Sequence, residues 1–201
     1  MGFKLITAAT TEPIDVSELK GHSRIPVDED DTLILSYIKA ARGLLEAITK
    51  RKFITQTWEY YRNGFPYDDP CFALPFPPIT SLTFLKYLDT SGNTITMGSG
   101  TDYITDLISE PARISVPYTV GAWPLTQYGV PNTVWARFVC GFGGASAVPE
   151  EIKQAIRMLA AHYYENREAF VRGAAMNEVP EGIMSLVAQY RIFSSVDDDE
   201  S

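Results

Sequence analysis

The chain has 201 residues, of which 45% are hydrophobic and 21% are charged, close to the composition of an average globular protein. Its formal net charge is −8, from 25 acidic and 17 basic residues, which excludes the overall basic charge by which proteins grip DNA or an anionic membrane. The length suggests one domain, or one domain with a large insertion.

The cysteines and the N-terminal residues exclude two further classes. Cys71 and Cys140 form no CxxC pair, so neither a zinc site nor a disulfide framework is expected. A single Cys71–Cys140 disulfide stays open, but two reduced thiols in a cytoplasmic protein are the preferred interpretation. Residues 1–13 have one Lys and no long apolar core, so no signal peptide is expected. No stretch approaches the roughly 18 apolar residues that span a membrane.

The first predicted element is a short helix in "IDVSELKGH". Asp15 is placed as N-cap and Glu18 as the third helical residue, the pattern of a capping box. Ile14 and Leu19 occupy the two positions of a hydrophobic staple. Gly21 is expected to end the helix.

A longer helix follows in "DEDDTLILSYIKAARGLLEAITKRKF". The acids at 28–31 complement its positive N-terminal end, and the bases at 50–52 complement its negative C-terminal end. Its apolar residues repeat with helical spacing and predict a face that packs in a core. These residues are Ile34, Ile38, Ala41, Leu45 and Ile48.

The middle third has the short, β-branched and aromatic segments of an antiparallel β module. They are "FITQTWEYYR", "TSLTFLKYLD", "NTITM", "DYITDLI", "ARISV" and "TVWARFVCGF". "YLDTSGNTITM" predicts a hairpin, and the spacing of the segments predicts a small sandwich or barrel. Residues 117–132 are rich in Pro and Gly and predict an exposed loop. Its Trp123 and Tyr128 form either a contact surface or a packing layer across the end of a sheet.

The helical pattern returns after "GFGGASA". Pro149 suits the first helical position, and the helix is expected to run to about Phe170. "IMSLVAQYRIF" predicts a last short helix, and residues 194–201 predict a disordered acidic tail. The fold class is therefore α+β, a helical domain with an inserted small antiparallel β module. The predicted parts are residues 1–52, 53–146, 147–193 and 194–201.

No group of residues makes a convincing catalytic site. His162 and Glu165 lie three apart on a helix and can meet, but the other histidine, His22, lies in a distant short helix. We therefore expect His162 to be a structural surface histidine that is hydrogen-bonded to Glu165 or to another helix. "GFGGASA" has neither the lysine of a phosphate loop nor the spacing of a dinucleotide-binding motif. No enzyme activity, cofactor or metal is predicted.

Several segments taken in order resemble a tailed-phage family. "EPIDVSELKGHSRI", the long N-terminal helix, "LPFPPITSLTFLKYLD" and "VPEEIKQAIRMLAAHYYENREAF" are similar to head-tail connector, or adaptor, proteins, which occur also in prophages and gene transfer agents. The resemblance covers roughly residues 12–193. It implies a helical connector domain with an inserted β module and a structural, non-enzymatic role.

The resemblance also implies partners and a location. Such adaptors form a ring, commonly dodecameric, beneath the portal protein in the virion neck, after assembly in the host cytoplasm. The ring extends the channel through which DNA passes and carries the stopper or tail-completion protein. DNA would pass without specific binding, and no membrane is involved. Another neck or tail-completion protein is the first alternative, and a small hydrolase or metal enzyme using His162 and Glu165 is a remote one.

By the same resemblance, three sets of residues are hypothetical interfaces. The portal interface would comprise Ile183, Leu186, Tyr190, Arg191 and Phe193. The subunit interface would comprise Tyr37, Arg42, Tyr164, Arg167 and Phe170. A tail-side or loop contact would comprise Trp123 and Tyr128.

Overall fold

The computed structural model of the protein describes residues 1–26, 28–166 and 179–193. These residues form four α-helices and two antiparallel β-sheets, which confirms the predicted α+β class. Among the described helices, none combines the length and the apolar character needed to cross a bilayer.

Contacts within the chain group it into two compact units. Among the described residues, the β unit comprises 1–9, 55–141 and 192–193, whereas the helical unit comprises 10–26, 28–54, 142–166 and 179–191. The predicted domain boundaries, drawn after residues 52, 146 and 193, stay a prediction.

The first helix, α1 (Val16–Ser23), begins with the predicted capping box. The Asp15 carboxylate accepts a hydrogen bond from the N–H of Glu18, and the Glu18 carboxylate accepts one from the N–H of Asp15, each at 2.8 Å. Ile14 and Leu19, the predicted staple pair, are both buried. These contacts confirm that local sequence determines where α1 begins.

The predicted end of α1 at Gly21 is wrong. The helix continues to Ser23, and Arg24 takes the left-handed conformation with φ of 52°. The N–H of Arg24 then bonds to the carbonyl of Lys20, which closes the last turn as glycine does in many helices.

The second helix, α2 (Asp31–Thr49), buries the predicted face. Ile34, Ile38, Ala41 and Leu45 are fully buried, but the fifth predicted position, Ile48, is only half-buried. The next residue, Thr49, is buried, and its hydroxyl donates a hydrogen bond to the carbonyl of Leu45 at 2.7 Å. Lys50 ends the helix in the left-handed conformation.

The third helix, α3 (Glu150–Glu165), is shorter than predicted. Pro149 is the N-cap rather than the first helical residue, and Asn166 leaves the helix with φ of −109°. The buried side chains of α3 include the predicted Ile152, Ile156 and Leu159. Residues 167–170, which were expected to continue it, lie outside the described residues.

The last described helix, α4 (Glu181–Val187), continues as a 3₁₀ turn at Ala188–Tyr190. It confirms the short helix expected near the C-terminus. The predicted acidic tail, residues 194–201, lies outside the described part of the chain.

The larger sheet of the β unit has five antiparallel strands. Val134, Ala136, Phe138 and Cys140 are buried, and the residues between them are half-buried, so this strand has one core-facing side. In spatial order the strands are β1 (Gly2–Thr7), β2 (Gln56–Arg62), β8 (Val134–Cys140), β4 (Ile79–Leu88) and β5 (Thr94–Thr96).

The predicted hairpin is formed by β4 and β5. The N–H of Asp89 donates to the carbonyl of Asn93 at 2.9 Å, and Gly92 has φ of 85° at the tip. That positive φ strains most other residues, so glycine suits this position.

The smaller sheet has three antiparallel strands, in the order β3 (Cys71–Ala73), β7 (Arg113–Ser115) and β6 (Ile104–Asp106). Phe72 and Ile114 of this sheet belong to the same buried cluster as Leu85 and Phe138 of the larger sheet. The two sheets therefore bury one common core, as expected for a small sandwich.

The sequence segments predicted as strands account for six of the eight strands, and β1 and β3 were not predicted. Cys140 is buried in the common core and Cys71 is half-buried. Among the described residues neither cysteine forms a disulfide, which agrees with the interpretation preferred over a Cys71–Cys140 bond.

Candidate assembly surfaces

His162 has the surroundings of a surface residue. Its side chain is exposed near the end of α3, and its Nδ1 atom lies 3.3 Å from the amide nitrogen of Asn166. The partner is therefore Asn166, one turn further along the chain, rather than the predicted Glu165. Within residues 1–26, 28–166 and 179–193, no group of three or more His, Cys, Asp or Glu side chains is placed to hold a metal ion.

The segment "GFGGASA" connects a strand to a helix. Gly141 and Gly143 have φ of 111° and 136°, which favour glycine at both positions. A Cβ atom on Gly143 would lie 3.0 Å from the Cβ of Ala147, so the backbone packs closely there. Gly141 and Gly143 therefore have a structural explanation that requires no phosphate.

The described residues predicted for the subunit interface make contacts inside the helical unit. The rings of Tyr37 and Tyr163 lie 6.3 Å apart, and the Tyr164 hydroxyl donates to the Asp30 carboxylate at 2.7 Å. Arg42 donates to Glu12 at 2.6 Å. Arg167 and Phe170 lie outside the described residues. The interface role of all five stays a prediction.

Arg42 belongs to a charged cluster at the C-terminal half of α2. The Glu46 side chain is only 3% exposed and forms salt bridges with Arg42 at 3.2 Å and Lys52 at 3.0 Å. Glu46 also accepts a hydrogen bond from the N–H of Phe53 at 3.1 Å. Burial acts to lower the pKa of Arg42, but the hydrogen bond to Glu12 and the negative charge of Glu46 outweigh it and raise the pKa. The cluster holds the end of α2 to the segment that follows it.

The residues predicted to meet the portal differ widely in exposure. Ile183 is buried in the helical unit, and Leu186 and Tyr190 are half-buried. Arg191 is exposed, and Phe193 is 81% exposed. If this segment is an interface, Phe193 has the most apolar surface to bury, whereas Ile183 supports the fold.

Tyr190 is held by two polar contacts within the helical unit. Its hydroxyl donates to the Glu151 carboxylate at 3.0 Å, and its carbonyl accepts a hydrogen bond from Nε of Arg51. Burial, followed by the contact with Glu151, raises the pKa of Tyr190. Arg51 and Glu151 therefore fix the position at which the chain leaves the helical unit.

Residues 117–132 form the predicted loop, which has neither helix nor strand. Tyr118 and Tyr128 are fully exposed, as a contact surface requires. Trp123 instead packs on Phe65, with parallel rings whose centroids are 4.6 Å apart, and it also contacts Phe72 of the core at 5.5 Å. Of the two interpretations, Trp123 fits packing at the end of a sheet, whereas the exposure of Tyr128 fits a contact surface.

A groove lies between this loop and the segment that precedes β3. Its volume is about 340 Å³. No acidic or basic side chain lines it. The lining residues are Phe65, Pro66, Tyr67, Ala122, Trp123, Pro124, Leu125 and Thr126.

A second apolar feature of the β unit is the turn that follows β6. Ile108 at this turn is 96% exposed, although isoleucine is usually buried. The Asp106 carboxylate accepts hydrogen bonds from the N–H groups of Ile108 and Ser109, each at 3.0 Å. Hydrogen bonds from the Ser109 side chain and from these N–H groups lower the pKa of Asp106.

Sequence reasoning missed Phe65, Tyr67, Leu125 and Ile108 as candidate contact residues. The aromatic and proline residues of "NGFPYDDP" have the composition of a turn, which does not indicate a contact surface. An apolar residue in the turn sequence "DLISEP" was the available signal for Ile108. The groove itself joins two segments that are distant in sequence.

The sequence matches the phage gp6-like head-tail connector family over residues 13–87 and 125–191, well over half of the chain. The chain belongs to this family. The connector is therefore a structural protein, as the resemblance implied. A comparison with curated proteins finds no match.

Similar solved structures come from gene transfer agent (GTA) particles. A chain in the neck of an empty particle, computed with C6 symmetry, is 27% identical with a TM-score of 0.77. A chain in a native virion is 25% identical with a TM-score of 0.76, and one in a native neck, computed with C12 symmetry, is 27% identical with a TM-score of 0.74. In each comparison 97% of both chains is covered.

These similarities extend over almost the whole length of both chains, so they include the helical unit and the β unit. They confirm the predicted connector fold and the assignment to structural proteins of the neck. Neither the family nor the similar structures indicate an enzyme.

Proposed function

We propose that the connector forms a ring beneath the portal protein in the virion neck. The ring extends the channel for DNA and provides the platform on which a stopper or tail-completion protein assembles. The main support is the similarity, over 97% of both chains, to a chain of a particle neck computed with C12 symmetry. Assembly would take place in the host cytoplasm before the protein joins the virion.

The charge of the chain suits a conduit. A net charge of −8 disfavours the phosphate contacts that would slow DNA in the channel. Subunits of a ring need contacts with each other instead, and such interfaces are enriched in aromatic residues and Arg. We therefore retain Tyr37, Arg42, Tyr164, Arg167 and Phe170 as proposed subunit contacts.

The other proposed contacts lie in the C-terminal segment 183–193 and in the loop 117–132. The portal is proposed to contact the exposed Phe193 and four residues that precede it in the sequence. These are Ile183, Leu186, Tyr190 and Arg191. Tyr128 is proposed for the tail side, with Trp123 supporting the loop that presents it.

Negative-stain imaging of the connector mixed with its cognate portal tests the ring. We expect a collar that extends one end of the portal. Portal particles without a collar, at connector concentrations well above those of the portal, would contradict the proposal. A collar that formed only on tail-side proteins would instead support another neck or tail-completion protein.

The remote enzymatic alternative makes a separate prediction. The exchange His162→Ala removes the imidazole, whose contact is an exposed one with Asn166. We expect the fold, the collar and particle infectivity or gene transfer to be unchanged. Loss of transfer by His162→Ala particles with an intact neck would instead support chemistry at His162, and Glu165→Gln would then test its partner.

A further inference from the structure

We propose that the turn at Ile108 of one copy inserts into the aromatic groove of the next copy in the ring. The inference rests on the proposed ring and identifies one of its contacts. Ile108 and the groove both belong to the β unit.

The inserted feature is an ordered apolar side chain. Ile108 exposes 96% of its surface, while its neighbour Leu107 packs against the core of the β unit. The Asp106 carboxylate holds the N–H groups of Ile108 and Ser109 on the other side of the turn. Because the turn is already ordered, inserting Ile108 into a partner would cost little conformational entropy.

The receiving feature is apolar and has space. The stacked rings of Phe65 and Trp123 form its wall, and Tyr67 and Leu125, which are 95% and 76% exposed, form its rim. A volume of about 340 Å³ accommodates a branched aliphatic side chain. Because the lining residues carry no charge, burying them requires no desolvation of an acid or base.

The placement of the two features suits a ring. In the three-stranded sheet, Arg113 pairs with Asp106 at the end where the Ile108 turn begins. Ser115 pairs with Cys71 at the other end, where the chain arrives from Tyr67. The wall of the groove packs on Phe72 in the middle of β3, whereas the Ile108 turn continues from β6. The two features therefore adjoin the two opposite edge strands of the sheet. Cyclic rings require contacts of this heterologous kind, in which two different surfaces of the protomer meet.

The charges near both features predict a salt dependence. Asp68 and Asp69 follow the groove residue Tyr67, and Glu110 follows the turn, and all three are exposed. If Ile108 enters the groove, these acidic residues of two copies come close to each other and repel. Salt screens this repulsion, so the association of the subunits should strengthen as the salt concentration rises. An interface based on exposed opposite charges would weaken instead.

Paired cysteines test the contact directly. The native Cys71 is replaced by Ser, and Cys140 can stay because it is fully buried. In this background the double variant Ile108→Cys, Leu125→Cys is assembled with the portal and mildly oxidised. We expect a ladder of covalent oligomers. A mixture of the two single variants should stop at covalent dimers, because each copy then offers only one half of the contact. The matched control Ile108→Cys, Tyr118→Cys, with its second cysteine in the same loop but outside the groove lining, should give no ladder.

Imaging of the same samples separates two failures. Collars without a ladder in the double variant would overturn the Ile108 contact and leave the ring in place. The absence of both collars and ladder would overturn the ring and the contact together. Covalent dimers from Ile108→Cys alone would show an isologous contact and overturn the insertion.

A charge substitution gives an independent measurement. We expect Ile108→Asp to weaken subunit association by about tenfold or more, which is the effect of losing one buried aliphatic side chain. Val120→Asp, at a half-exposed position outside the groove, should have little effect. Equal association of Ile108→Asp and wild type, over a range of salt concentrations, would overturn the proposal.

Discussion

At the scale of single residues, the helical unit depends on one buried carboxylate. Glu46 forms salt bridges with Arg42 and Lys52 and accepts a hydrogen bond from the N–H of Phe53. Removing one partner of a buried ion pair leaves the others without their counter-charge, which costs more than the pair contributes.

Glu46→Gln should therefore lower the free energy of unfolding by about 3 kcal/mol. Urea denaturation followed by circular dichroism measures the change. Glu165→Gln, the same exchange at an exposed position, should change the free energy by less than about 0.5 kcal/mol. Equal stability of the two variants would mean that the Glu46 cluster is not stabilising.

A second residue-scale prediction concerns Tyr61 on β2. Its hydroxyl donates to Glu59 at 2.6 Å, and this hydrogen bond, with burial, raises the pKa of Tyr61 to about 12. A pKa raised above the ordinary value of 10.0 means that folding favours the protonated phenol. Its contribution to stability is complete below about pH 10 and is lost as the pH rises through about 12.

We expect Tyr61→Phe to lose less stability than wild type between pH 10 and pH 12. Urea midpoints measured across this range give the comparison. Tyr128→Phe, at a fully exposed tyrosine, should follow the wild-type curve. Parallel curves for Tyr61→Phe and wild type would show that the bond to Glu59 does not couple to folding.

At the scale of elements, sequence patterns predicted those whose signals are local. The capping box at Asp15 and Glu18 determines where α1 begins, and the spacing of Ile34, Ile38 and Leu45 predicts the buried face of α2. The first signal lies within one turn of helix, and the second lies within about three turns. The start of α1 and the buried face of α2 are therefore found in the folded protein where the sequence predicts them.

The elements that were missed depend on distant partners. β1 is a six-residue edge strand whose register with β2 is fixed by pairs such as Phe3 with Tyr60. β3 has only three residues and is a strand because it pairs with β7. The groove likewise requires Phe65 and Trp123 to meet. No local propensity indicates these pairings, because tertiary structure decides them.

The proposed portal contact also belongs to the element scale. Phe193 follows the 3₁₀ turn at Ala188–Tyr190 and is exposed, so Phe193→Ala should weaken portal binding by about tenfold without unfolding the protein. Deletion of residues 194–201 should weaken it further if these residues take part. Tyr118→Ala, another exposed aromatic, is the matched control.

Surface-based binding assays with immobilised portal measure these affinities. Full binding by both Phe193→Ala and the deletion variant would contradict the proposed portal surface. Equal weakening by Tyr118→Ala would show that exposed aromatic area, rather than this segment, determines the affinity.

At the scale of the whole molecule, composition and segment order were more informative than any single motif. The negative charge argued against a DNA-gripping protein, and the absence of a convincing catalytic group argued against an enzyme. Family membership over residues 13–87 and 125–191 confirms the connector assignment. The contact surfaces were less predictable, because interfaces use residues such as Ile108 that carry no chemical motif.

The mass of the portal complex tests the ring most directly. Portal is titrated with the connector, and the mass of the complex is measured by light scattering at each step. The account predicts an increase that saturates at the mass of one closed ring of connector subunits. A complex that gains no mass, or that saturates with only one or a few subunits, would contradict a ring-forming connector.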